Sequence, residues 1–108
     1  MLNRLEESLA AYDRAVAIDP AHAQAWCDRG HTLNRLRRPA EALASFERAI
    51  AVNPRLVPAW FNKAGAEMTA GRREDALRSF EHLLSIADPQ RDGGVLQQAR
   101  ALMAKLGG

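Results

Sequence analysis

The feature that most restricts the fold of this chain is a repeat with a period of 34 residues. The segment AEALASFERAIAVNP at residues 40–54 has a close counterpart, EESLAAYDRAVAIDP, at residues 6–20, and a looser one, EDALRSFEHLLSIADP, at residues 74–89. A fixed period of about 20 to 50 residues indicates stacked supersecondary units, each of which buries its apolar face against its neighbours. The same aromatic position recurs in all three copies, at Tyr12, Phe46 and Phe80.

Each period contains two stretches with the spacing of an amphipathic helix. In the first stretch Trp26, Gly30 and Leu33 fall at i, i+4 and i+7, so they lie on one helix face. The second stretch carries an apolar face of the same kind, and the two faces must bury each other. Glycine inside a helix costs about 0.5–1 kcal/mol relative to alanine, so Gly30 is expected where the paired helix approaches closely. The apolar face of the second stretch consists of Ala42, Phe46, Ala49 and Ile50.

Proline and glycine mark where these helices begin and end. Pro39 suits the first position of a helix, where its missing N–H has no intrahelical partner. Gly71 suits the left-handed residue that ends a helix, and Pro54 forces the preceding residue out of the helical region. Asp92 is expected to cap the last helix.

The repeat resembles the tetratricopeptide repeat family, whose signature is W-x-x-L-G-x-x-Y, then A-x-x-x-F, then P, with this period. The copy at residues 57–90 has Lys63 and Glu67 where the family prefers leucine and tyrosine, and we expect these two residues to loosen the local core. The resemblance covers nearly the whole chain and implies an all-α, right-handed solenoid of α-hairpins. The central copy carries it at Trp26, Gly30, Leu33, Ala42, Phe46, Ala49 and Pro54.

The register divides the chain into about two full repeats with a partial unit at each end. Residues 1–22 match only the second helix of a truncated repeat, residues 23–56 and 57–90 form the two repeats, and residues 91–108 form a C-terminal or capping helix. The first helix then lacks its paired helix, and part of its apolar face would meet water. Either the chain is a segment of a longer repeat protein, or this face packs on a second copy as a homodimer, or water tolerates a few apolar residues. The residues assigned to self-association are Leu5, Leu9, Tyr12 and Val16.

In the family, the first helices of successive repeats line a concave groove that holds an extended peptide or a partner helix. The resemblance therefore implies a non-catalytic scaffold that binds a peptide or a partner protein in this groove. The alternatives are a segment of a larger protein, such as the targeting region of a glycosyltransferase-like enzyme, or a self-associating module. Helical spacing places these residues in the groove: Gln24, Cys27, Asp28, His31, Arg35, Phe61, Asn62, Gly65, Met68 and Thr69.

The groove residues also limit which ligand is expected. One branch of the family grips a C-terminal carboxylate with lysine, arginine and asparagine side chains, and only Asn62 matches that pattern here. We therefore expect no binding of chaperone tails. Other relatives bind extended chains through a row of asparagines, as in the repeat region of O-linked N-acetylglucosamine transferases. In this sequence Asn62 would be the only asparagine of such a row.

The residues with the spacing that an enzymatic role would need are Cys27, Asp28 and His31. The thiol and the imidazole are four residues apart on one helix, so they are able to hold a metal or to activate a nucleophile. Because no second cluster accompanies them, we expect no catalysis, no metal and no cofactor. His22 and His82 stand alone and are interpreted as turn and surface residues.

Composition restricts the partners and the compartment. Fifteen basic and thirteen acidic side chains give a net charge of +2, and their even distribution argues against a nucleic-acid partner. The apolar runs are too short for a membrane span or a signal sequence. A single cysteine, Cys27, fits a reducing compartment, so we expect a cytoplasmic protein.

Overall fold

The computed structural model describes residues 3–107, and over that range it contains six α-helices and no β-strand. Each helix packs chiefly on its neighbours in the chain, and α2 also contacts α4, which gives an elongated body of 42 × 25 × 20 Å. The expected all-α architecture is confirmed. None of the described helices is long and apolar enough to cross a membrane. The helices are α1 (Arg4–Ile18), α2 (Ala23–Arg35), α3 (Pro39–Val52), α4 (Val57–Thr69), α5 (Arg73–Ile86) and α6 (Gly93–Gly107).

The ends of the helices follow from residues with identifiable capping roles. The Asn3 side chain accepts a hydrogen bond from the Leu5 N–H at 2.6 Å, and Pro39 occupies the first turn of α3 as expected. Asp92 precedes α6, but its carboxylate accepts the backbone N–H of Asp88 at 2.9 Å instead of a first-turn N–H. The carbonyl oxygen of Asp92 accepts the Leu96 N–H at 2.9 Å, so Asp92 occupies the capping position of α6 while its side chain organises the connection between α5 and α6.

Two equivalent turns contain a residue with a left-handed backbone. Gly71 has a φ of 78°, as the sequence predicts. The residue 34 positions earlier is Arg37, which adopts a φ of 62° in the turn between α2 and α3. A side chain is disfavoured in this conformation, so the geometry of the hairpin fixes the backbone at Arg37 against its own preference.

Replacing Arg37 by glycine is therefore expected to raise the free energy of unfolding by about 0.5–1 kcal/mol. The matched control is Arg35→Gly, in the last turn of α2, which should lower it by a similar amount because Arg35 is helical. Urea denaturation measures both values. Two substitutions that changed stability in the same direction would contradict the assignment of strain to Arg37.

The contact between α2 and α3 explains Gly30. A Cβ atom at Gly30 would lie 2.5 Å from the Cε1 atom of Phe46, so only glycine allows the ring to pack there. Phe46 and Leu33 are both 0% exposed. The expected close approach of the paired helices is confirmed.

The two tryptophans fix the connections that precede their own helices. The indole N–H of Trp26 donates to the carbonyl oxygen of Pro20, and that of Trp60 donates to the carbonyl oxygen of Pro54, both at 2.8 Å. Both rings are half-buried. Each indole therefore contributes apolar area to the core and also holds one turn.

The polar residues Lys63 and Glu67 do not leave a defect in the second repeat. Glu67 is 3% exposed, and its carboxylate lies 2.9 Å from the Lys63 ammonium group and 2.6 Å from the Ser79 hydroxyl group. Lys63 also donates to the Ser79 hydroxyl oxygen at 3.2 Å. Within residues 3–107, no buried side-chain nitrogen or oxygen lacks a hydrogen-bond partner. The contacts thus show a satisfied polar network where we expected a loosened core.

Candidate functional site

Helices α2 and α4 lie side by side and present one surface, here called the α2–α4 face. The side-chain amide of Asn62 on α4 contacts the sulfur of Cys27 on α2, with a distance of 3.7 Å between Nδ2 and Sγ. This contact places the outward-facing residues of the two helices next to each other. The name denotes the residues that helical spacing predicts on this side of the two helices, apart from Cys27: Gln24, Asp28, His31, Arg35, Phe61, Asn62, Gly65, Met68 and Thr69.

These nine residues differ in how much of each side chain reaches solvent. Gln24, His31, Arg35 and Thr69 are exposed, whereas the others are half-buried. Cys27, which the sequence analysis placed with them, is only 2% exposed. Cys27 therefore belongs to the seam between α2 and α4 and not to the accessible surface, because the neighbouring helix covers it.

The α2–α4 face has a polar side and an apolar side. On α2, Gln24 donates from Nε2 to Asp28 Oδ1 at 2.9 Å, and this pair lies on the same helix as His31 and Arg35. On α4, the Phe61 ring meets the buried Phe80 ring edge to face, with 6.1 Å between the centroids. That contact holds Phe61 in place against α5, on the same helix as Asn62.

The environment of Cys27 bears on the enzymatic alternative. Burial raises the pKa of the Cys27 thiol to about 11, an effect that the Asn62 hydrogen bond partly opposes and the Asp28 charge reinforces. The thiol is therefore protonated at neutral pH, which makes it a poor nucleophile. Within residues 3–107, no three His, Cys, Asp or Glu side chains are grouped so as to hold a metal ion.

A thiol reagent tests this environment directly. At pH 8 the fraction of Cys27 present as thiolate is about a hundredfold smaller with a pKa of about 11 than with the ordinary pKa of 9.0. Native protein is thus expected to react with a disulfide reagent at least about 100 times more slowly than urea-unfolded protein. The native rate should rise as the pH goes from 9 toward 11. Equal rates in the two states would show that Cys27 is accessible.

The residues assigned to self-association are less available than the sequence suggested. Leu9 and Val16 are 9% and 8% exposed, because they pack inside the chain, and Leu5 and Tyr12 are half-buried. The open side of α1 is instead formed by residues that the sequence reasoning missed. These residues are Ser8, Ala11, Ala15 and Ile18. For Ser8, Ala11 and Ala15 the signal was their 34-residue equivalence with buried residues of α3, whereas Val52, the equivalent of Ile18, is itself 38% exposed.

Two surface cavities lie away from the α2–α4 face. One, of about 400 Å³, is lined by residues 71–75 in the turn between α4 and α5 and at the start of α5. The other, of about 340 Å³, lies between residues 55–58 and residues 91–92. Neither cavity is lined by a residue of the α2–α4 face.

Comparisons with known proteins identify the type of fold. The family model described as tetratricopeptide repeat matches residues 2–57. No curated protein sequence matches the chain closely enough to count as a relative.

Solved structures show similarity over nearly the whole chain. The TPR2B domain of yeast Sti1 in its pHsp70 complex has 22% identity and a TM-score of 0.90, covering 96% of this chain and 83% of that one. The first TPR of Spaghetti (RPAP3), bound to the HSP90 peptide SRMEEVD, has 20% identity and a TM-score of 0.86, covering 96% and 78%. The Arabidopsis OM64 TPR domain has 20% identity and a TM-score of 0.83, covering 94% and 82%. At these identities the similarity shows the fold, a helical repeat solenoid.

Proposed function

Because the chain belongs to the tetratricopeptide repeat family, whose model matches residues 2–57, we propose that it is a non-catalytic interaction scaffold that binds a peptide or partner protein. The binding site in this proposal is the α2–α4 face. The observation that carries the proposal is the contact of Asn62 with Cys27, which brings the exposed polar groups of α2 next to α4.

The chemistry of this face suits an extended peptide. His31, Arg35 and Asn62 provide hydrogen-bonding groups for peptide carbonyls and side chains, whereas Phe61 and Met68 offer apolar contact. Similar structures bound to an HSP90 peptide and in a pHsp70 complex support the idea that a fold of this shape accommodates a short peptide.

The same face disfavours acidic peptides such as SRMEEVD. Cys27 is buried in the seam between α2 and α4, and Asp28 places a negative charge on the face. An acidic peptide would meet this carboxylate, and only Asn62 matches the pattern of lysine, arginine and asparagine side chains that the carboxylate-binding branch of the family uses. We therefore expect the ligand to be neutral or basic near Asp28.

The proposal predicts that His31→Ala combined with Asn62→Ala weakens peptide binding at least about tenfold, which corresponds to 1.4 kcal/mol. The probes are dodecapeptides selected from a random library on the wild-type protein, with the peptide SRMEEVD added as an expected non-binder. Fluorescence anisotropy measures the dissociation constants.

The matched control is Glu47→Ala combined with Glu81→Ala, at equivalent exposed positions of α3 and α5. This control should leave peptide affinity within about twofold of wild type. The proposed site would be wrong if the control weakened binding as much as the double variant, or if the library yielded no binder. Tight binding of SRMEEVD would overturn the expectation about chaperone tails alone.

A further inference from the structure

Asp28 differs from the other shielded carboxylates of the chain because it has no counter-charge. Glu67, Asp75 and Asp92 each form an ion pair with a neighbouring lysine or arginine, with nitrogen–oxygen distances of 2.9, 2.5 and 3.0 Å. Asp28 is half-buried, yet among residues 3–107 no Lys, Arg or His side chain forms an ion pair with it. Every other Asp and Glu side chain in that range is exposed. A partly desolvated carboxylate is stabilised by a positive charge nearby, and Asp28 lacks one.

The residues around Asp28 explain the missing ion pair. A basic side chain three or four positions away on the same helix would reach the carboxylate. Asp28 Oδ1 instead accepts a hydrogen bond from Nε2 of Gln24, four positions earlier, at 2.9 Å. Arg29, the adjacent basic residue, pairs with Asp13 of α1 at 2.6 Å. The other positions within this reach hold Ala25, His31 and Thr32, none of which is lysine or arginine. The carboxylate therefore stays open to a positive charge from outside the chain.

Two side-chain amides use their nitrogen inside the chain and leave their oxygen as an acceptor. Gln24 donates to Asp28, and Asn62 donates to the sulfur of Cys27 at 3.7 Å. Neither amide oxygen accepts a hydrogen bond from residues 3–107. Gln24 is an exposed residue, and because no buried side-chain nitrogen or oxygen in that range is unpaired, the Asn62 oxygen also reaches solvent. Both oxygens are thus available to a donor on a ligand.

Cys27 shows that the two helices bring Asp28 and Asn62 to the same part of the seam. Cys27 directly precedes Asp28, and its sulfur contacts the Asn62 amide. Burial raises the pKa of the thiol most; in addition the Asn62 hydrogen bond lowers it and the Asp28 charge raises it, so both groups act on one sulfur atom. Asp28 and Asn62 are also 34 residues apart, the same position of successive repeats. The three side chains, here called the acceptor cluster, are Gln24, Asp28 and Asn62.

We propose that the acceptor cluster binds the cationic side chain of an arginine or a lysine in the peptide that occupies the α2–α4 face. This role for Asp28 rests on the proposed function and adds the chemistry of its ligand. Guanidinium and ammonium groups carry several N–H donors and no acceptor, so they match a cluster that presents a carboxylate and two amide oxygens. The same cation supplies the counter-charge that Asp28 lacks.

Acidic, neutral and metallic ligands fit the acceptor cluster less well. A carboxylate or phosphate group would be repelled by the Asp28 charge, and a neutral side chain would leave that charge uncompensated. Calcium takes about six to eight oxygen ligands, usually with several carboxylates. Within residues 3–107, no three His, Cys, Asp or Glu side chains are grouped so as to provide such a set. A basic side chain is the occupant that the cluster favours.

Peptide selection tests the cation site. Random dodecapeptides with acetylated N termini and amidated C termini are selected on the wild-type protein, so that only a side chain supplies positive charge. The selected sequences should share an arginine or a lysine at one fixed position. Selection on Asp28→Asn should lose this preference, and selection on Asp28→Lys should replace it with aspartate or glutamate at the same position.

The matched control for the selection is Glu47→Gln. Glu47 is exposed on α3 and forms no ion pair among residues 3–107. Glu47→Gln and Asp28→Asn therefore change the net charge equally and differ in where the charge is removed. The preference for a basic residue should persist on Glu47→Gln.

The affinity of one selected peptide measures the interaction itself. Its basic residue is replaced by a neutral counterpart, norleucine for lysine or citrulline for arginine, and fluorescence anisotropy gives the dissociation constants. The replacement should raise the dissociation constant at least about tenfold on wild type and on Glu47→Gln. On Asp28→Asn it should raise it less than about twofold, because the partner charge is already absent.

The outcomes separate the cation site from the proposed function. Selected peptides without a fixed basic residue, or an equal loss of affinity on wild type and on Asp28→Asn, would overturn the cation site. The proposed function would still stand if those peptides bound the double variant His31→Ala with Asn62→Ala more weakly than wild type. A library that yielded no binder for the wild-type protein would overturn both.

Discussion

Replacing Glu67 by alanine is expected to lower the free energy of unfolding by about 3 kcal/mol. The Glu67 carboxylate is nearly fully buried and accepts hydrogen bonds from both Lys63 and Ser79. Its removal leaves the Lys63 ammonium group, whose side chain is only 17% exposed, without its counter-charge. Urea denaturation measures the loss. The midpoint of the unfolding transition should shift to lower urea concentration, whereas the dependence of the unfolding free energy on urea concentration should stay constant.

Two further variants make this expectation specific. Glu41→Ala removes a carboxylate that also pairs with a basic residue, Arg38, but both side chains are about half exposed, so the loss of stability should be much smaller than for Glu67→Ala. Replacing Lys63 and Glu67 together by leucine should recover most of the stability, because the buried charges disappear as a pair. The equivalent of Glu67 in the first repeat is already a fully buried leucine, Leu33. A double variant as unstable as the single one would show that the pair is not what stabilises this site.

Gly30→Ala is expected to be the second most destabilising change, at about 2 kcal/mol. The added methyl group would overlap three atoms of the Phe46 ring, at 2.5, 2.7 and 2.9 Å, and that ring is 0% exposed, so the surrounding core must shift to make room. The gain in helix propensity from alanine offsets only part of this strain. Thermal unfolding should show a loss of several degrees.

Gly65 provides the matched control for Gly30. Gly65 is also inside a helix, but a Cβ atom there would meet nothing within 4 Å. Gly65→Ala should therefore stabilise the protein by about 0.5–1 kcal/mol, the opposite sign. Adding Phe46→Leu to Gly30→Ala should recover part of the lost stability if the overlap is the cause. Losses of equal size at Gly30 and Gly65 would mean that the α2–α3 contact is looser than its geometry indicates.

Local chemistry made much of the fold predictable. Pro39 and Gly71 act through their own backbone restrictions, and Gly30 acts through the absence of a side chain, so each could be interpreted without tertiary information. Arg37 could not, because arginine has no preference for a positive φ and the hairpin imposes it. Its equivalence to Gly71 in the 34-residue register was the available signal.

The candidate site was less predictable than the fold. Helical spacing predicted that Cys27 lines the groove, but it carried no information on how far α4 would cover that residue. Lys63 and Glu67 were expected to weaken the core because each was judged alone, whereas their position one turn apart, with Ser79 opposite, lets them satisfy each other. The division into repeats and the alternative of a segment of a larger enzyme stay predictions.

The indole contacts with Pro20 and Pro54 also provide two optical reporters inside the molecule. Trp26 and Trp60 are the two tryptophans of the chain, and they lie at equivalent places in consecutive hairpins. The fluorescence of each should change when its own hairpin opens. Because stability in a linear array is distributed between neighbouring units, variants with one tryptophan each would reveal whether the array melts from one end or all at once.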